Sequence, residues 1–100
     1  MKMYKIGIIN CKTGKHIKYY EVGENQVMPQ VEKCMEWIDK QDTFFSGKEY
    51  KNTLDGQVFL QKIKNIMEGK TIKNLAVVSI AIFNGNKGTE HEFYVEKMEK

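Results

Sequence analysis

One hundred residues, 41% apolar and 29% charged, suffice for one domain with a modest core and argue against both a disordered tail and a membrane-embedded chain. The net charge of +3 comes from 16 basic residues, all lysine; without arginine, the usual bidentate reader of phosphate and guanine is missing, which counts against sequence-specific DNA recognition. Cys11 and Cys34 are too few for a disulfide framework, no apolar run reaches membrane-span length, and MKMYKIGIIN lacks a signal-peptide h-region, so a cytoplasmic location and no membrane partner are expected.

Residues 3–10, MYKIGIIN, read as a strand with Tyr4, Ile6 and Ile8 on one face and Met3, Gly7 and Ile9 on the other. Gly7 inside it marks a place where a neighbour can come close. KTG at 12–14 is a turn signal, and HIKYYEV at 16–22 reads as the second strand of a hairpin, with the mixed faces of an edge. Asn25 is expected to cap a helix over about 26–41, with Pro29 tolerated in its first turn. Val27, Val31, Cys34, Met35 and Ile38 form its apolar stripe, with Trp37 at the margin.

Residues 42–53, DTFFSGKEYKNT, have no period and read as an aromatic-bearing loop around Ser46-Gly47. A second helix is expected over about 54–68, capped by Asn52 or Thr53 and closed by Gly69. Its apolar side is Leu54, Val58, Phe59, Ile63, Ile66 and Met67. Gly56 costs about 1 kcal/mol relative to alanine there, and signals either close packing or a frayed start. Residues 75–83, LAVVSIAIF, are the one long apolar run and read as a central strand, with apolar side chains on both faces. NGNKG at 84–88 supplies a hairpin turn, and TEHEFYVEK at 89–97 alternates His91, Phe93 and Val95 against Glu90, Glu92, Tyr94 and Glu96.

The order is therefore β-β-α-α-β-β in a single α+β domain over 1–100. It predicts a four-stranded antiparallel or mixed sheet with two helices packed on one face, strands 1 and 3 central and strands 2 and 4 at the edges.

Catalytic signals are weak. The imidazole and thiol inventory is Cys11, Cys34, His16 and His91, with no CxxC or HxxxH spacing, and Cys34 belongs to the helix stripe. Cys11 and His16 would form a thiol–imidazole pair across the first hairpin only with a third group to orient the ring, and none is evident. Asp39 and Asp42, or the glutamates of the last strand, read more simply as solvated than as paired acids. No glycine pattern cradles phosphate. No enzyme activity, cofactor or metal is expected.

Two binding classes remain. Lys12, Lys15 and Lys18 beside Tyr19 and Tyr20 would suit single-stranded nucleic acid stacked on a β-surface, opposed by the missing arginine and the strand-4 glutamates. Protein binding is the leading expectation, with Trp37, Phe44, Phe45 and Tyr50 as anchors in and around the aromatic loop. The plainer alternative is that one or both phenylalanines fold back over the core. The uncovered sheet face, with its apolar side chains from 75–83, adds a second surface and an expected homodimer. A lysine- and asparagine-rich chain without arginine also matches the composition of AT-rich bacterial or phage genomes, where many short reading frames encode accessory or inhibitory binding proteins.

Overall fold

A computed structural model describes residues 2–45 and 47–98; Ser46 of the Ser-Gly pair lies outside the described residues. It contains β1 (Met3–Asn10), β2 (Lys15–Gly23), α1 (Val27–Asp39), α2 (Leu54–Met67), β3 (Leu75–Asn84) and β4 (Lys87–Lys97). The strands form one antiparallel sheet in the order β2-β1-β4-β3, and both helices pack on one of its faces. No helix among the described residues is long and apolar enough to cross a membrane.

The central strands are β1 and β4, where β1 and β3 were expected. The apolar run of β3 lies at an edge, and its second apolar face is open: Leu75 is 49% and Val77 41% exposed. Alternation, as in β4, reports which faces of a strand are covered, not whether it has neighbours on both sides. The one-sided β4 therefore fits the middle of a sheet covered on one side only.

The core lies between the helices and the covered face. Tyr4, Ile6 and Ile8 of β1, Phe93 and Val95 of β4, and Ala76 and Ile80 of β3 meet Val27, Val31, Cys34, Met35 and Ile38 of α1 and Phe59, Ile63 and Ile66 of α2. Each large side chain contributes roughly 1.5–3 kcal/mol by leaving water. Burial pushes the Cys34 thiol up to about 11, the behaviour of a core cysteine. His91 is also buried, its Nδ1 2.9 Å from the Thr89 carbonyl oxygen.

The helix termini show why these segments start and stop where they do. Asn25 does not cap α1; it sits in a 3-10 turn, Glu24–Gln26, and Gln26 at the N-cap position makes no side-chain capping bond. Thr53 does cap α2: its Oγ1 accepts the Gly56 N–H at 3.0 Å while its hydroxyl donates to the Tyr50 carbonyl at 2.7 Å. A Cβ on Gly56 would collide with that same Tyr50 carbonyl oxygen, so the glycine serves close packing and not a frayed start. Asp39 at the end of α1 accepts the Tyr50 N–H at 2.8 Å, which ties the loop to both helices. At its far end α2 closes through Gly69 at φ +70°, with Gly69 N–H on the Ile66 carbonyl and Lys70 N–H on that of Asn65, a Schellman motif.

Candidate binding face

The uncovered face is built by strand phase. Residue pairs across the sheet place Tyr19, Gly7, Tyr94 and Val77 in one row, and Glu21, Lys5, Glu96 and Leu75 in the next. Gly7 is the keystone of the first row. A Cβ there would stand 2.8 Å from the Tyr94 ring, so only glycine lets that phenol lie down over β1. The Tyr94 hydroxyl then reaches His16 Nε2 at 2.8 Å.

His16 is available because the β1–β2 register shifts between Ile8 and Ile9, so that Ile8 faces Lys18 while Ile9 faces His16. The extra residue, Ile17, is a bulge that re-aims the imidazole onto the open side. Tyr19 stacks edge-on to His16 at 5.0 Å and donates its hydroxyl to Glu21 at 2.7 Å, a bond that holds its pKa up to about 12. Together with Ile9, Leu75 and Val77 these rings line an open depression of about 460 Å³, edged by Lys5, Glu92 and Glu96. A similar arrangement recurs at the far end of β3, where Phe83 packs over Gly88 on the facing strand.

Among charged residues the strand phases place Lys5 on this face against Glu21, Glu90, Glu92 and Glu96, so the face is acidic on a chain whose net charge is +3. The residues expected to hold nucleic acid do not converge on it. Lys12 is exposed in the turn and Lys15 beside it at the start of β2. Lys18 and Tyr20 fall on the helix side, with Lys18 Nζ 5.8 Å from the centre of the Trp37 ring and Tyr20 packed against the core. Tyr19 alone reaches the open side, next to a glutamate. The alternation of a strand splits such a cluster between two faces.

The expected protein anchors divide as well. Tyr50 is wholly buried, and Phe45 packs on the core with its ring edge-on to Tyr50 at 5.0 Å. Trp37 is half-buried under Lys18. Tyr50 and Phe45 are thereby packed into the fold, while Trp37 keeps part of its ring in water. Phe44, 80% exposed, is the one that faces outward, and it stands against Phe83 at 4.9 Å. Adjacent residues turned to opposite sides explain the split.

The Cys11–His16 pairing is absent from the geometry: His16 Nε2 is engaged by Tyr94, and desolvation with the Glu92 and Glu90 carboxylates raises the exposed Cys11 thiol, the wrong direction for a nucleophile. Among the described residues no group of three or more His, Cys, Asp or Glu side chains could hold a metal ion. Gly7, His16, Tyr94, Leu75 and Val77 were not foreseen as a group. The available signals were a glycine in mid-strand and a tyrosine among glutamates on one phase of β4. A scan of protein-family models, a search of curated proteins and a search of solved structures each return no match.

Proposed function

We propose that this chain is a non-enzymatic protein-binding module whose partner sits on the open sheet face. The observation that carries this reading is the Tyr94 ring laid over Gly7 and fixed by His16, with the half-exposed Leu75 and Val77 on the other side of β4. Rigid aromatic side chains beside aliphatic ones, rimmed by charge, are what an interface core needs, because little side-chain entropy is lost on docking. Phe44 and Phe83 extend the surface at its far end.

Charge selects the partner. Glu21, Glu92 and Glu96 favour a protein that brings lysine or arginine around an apolar centre, and they repel a polyanion. Two copies docked through this face would set the same glutamates against each other, so a second copy of the chain is the poorer occupant. Accessory or inhibitory binding, in which a small domain covers a site on a larger protein, is the role this surface suits.

The test uses Gly7→Ala, whose new methyl meets only the swinging end of the Tyr94 side chain, alongside Tyr94→Ala. Each is compared with the wild type for thermal stability and for photo-crosslinking to proteins of the source cell from a probe at Leu75. The expected result is a protein adduct that Gly7→Ala and Tyr94→Ala both weaken while Gly7→Ala changes stability by less than about 1 kcal/mol. An adduct untouched by both substitutions, or one lost on nuclease treatment, would overturn the reading, the latter in favour of nucleic acid.

A further inference from the structure

Among the described residues, the outer edge of β3 is met by segment 42–44 only at its Phe83 end. Phe83 donates its N–H outward to the Asp42 carbonyl at 2.8 Å, away from β4. Backbone groups alternate in direction along an antiparallel strand, so Leu75, Val77, Ser79 and Ala81 share that outward phase. No strand among the described residues pairs with that side. Natural edges are blunted by lysine, proline or a bulge. Residues 75–84 contain neither residue, and their register with β4 is unbroken.

Beside this edge runs a groove of about 220 Å³ between β3 and α2. Ile66 and Ala76 give it an apolar floor, while Lys62 and Lys73 stand at its rim with no acid among its lining. Neither lysine has an ion-pair partner among the described residues. An added strand would direct alternate side chains into this groove and onto the open face beside Leu75 and Val77.

We propose that the β3 edge binds an extended acidic peptide by strand addition, with a carboxylate side chain held between Lys62 and Lys73 and an apolar one beside Leu75 and Val77. The charge of the groove chooses this occupant over a second copy. Pairing two β3 edges about a twofold axis would bring together two grooves that each hold Lys62 and Lys73 and no acid. The edge shares Leu75 and Val77 with the open-face depression, but Lys62 and Lys73 line the groove alone, so the edge proline and the lysine substitutions test it apart from that reading.

The full chain is titrated with labelled acetyl-Val-Glu-Val-Glu-Val-amide and with the same peptide carrying lysine in place of glutamate, followed by fluorescence polarisation and amide NMR. The glutamate peptide should bind about tenfold more tightly than the lysine peptide. Its largest shifts should fall on the amides of Leu75, Val77, Ser79 and Ala81. Ser79→Pro should abolish binding yet keep the fold, because the N–H it removes points away from β4. Should that variant not fold, Lys62→Glu combined with Lys73→Glu, both exposed positions, should reverse the peptide preference. Equal binding of the two peptides, no binding of the glutamate peptide, or shifts centred on His16 and Tyr94 would overturn the proposal. So would a wild-type dimer in sedimentation that Ser79→Pro converts to monomer, which would assign the edge to a second copy.

Discussion

At the scale of single residues, two glycines carry opposite consequences. Gly7 faces the ring of Tyr94, a group that can rotate away, whereas Gly56 faces the Tyr50 carbonyl, a backbone atom that cannot. That carbonyl is also held by the Thr53 hydroxyl, and the Tyr50 N–H is held by Asp39. Gly56→Ala gains about 1 kcal/mol of helix propensity, but forcing the turn off the helix should outweigh it. We expect a net loss of about 2–3 kcal/mol in urea unfolding. A variant as stable as the wild type would mean that the Tyr50–Asn52 turn moves freely. The residue type alone left Gly56 ambiguous, because a helical glycine is read from what packs on it and that neighbour lies in another segment. Gly7 was more legible, since a glycine amid strand formers weakens the strand and so points to a neighbour that needs the space.

Among the elements, the two helical stripes and the strand alternations were legible because burial on one side imposes a period on the chain. The four strands and two helices fall close to where their periods place them. Strand order was not legible. The two-sided apolar run of β3 implied a central position, yet its second face is the open one. Lateral pairing uses only backbone groups, which every residue has, so side-chain composition carries little information about it. The burial of Tyr50 in the aromatic loop was not legible for a related reason. Tyr50 is drawn inward by the Asp39 and Thr53 bonds, and those partners are distant or generic in sequence. The position of β3 makes a prediction that separates its two phases. Leu75→Thr and Val77→Thr should each cost less than about 1 kcal/mol, whereas Ile80→Ala should cost about 2–5 kcal/mol. Comparable losses at both phases, measured by denaturant titration, would show that the second face is covered after all.

For the molecule as a whole, a sheet covered on one side divides the titrating groups into two populations. The acidic open face is in water. The opposite side holds Cys34, Tyr4 and Tyr50, all of which burial favours in their neutral forms. Their effect on stability has a definite sign. Cys34 is raised from an ordinary value of 9.0 to about 11, so between those limits the unfolded thiol loses its proton while the folded one keeps it. The unfolded state then binds fewer protons, and stability must fall as pH rises through this window. Below about pH 9 the full contribution is present. The two buried tyrosines extend the decline to higher pH, again because the unfolded phenol ionises first. Cys34→Ala should therefore lose about 1 kcal/mol near neutrality through the small cavity it leaves. It should also lose the first part of the alkaline decline, on the order of 2 kcal/mol in the wild type. Urea midpoints at a series of pH values from neutrality to pH 11 measure both effects. If the two proteins decline in parallel from pH 8 upward, the Cys34 thiol ionises as readily folded as unfolded, and its place in the core is wrong.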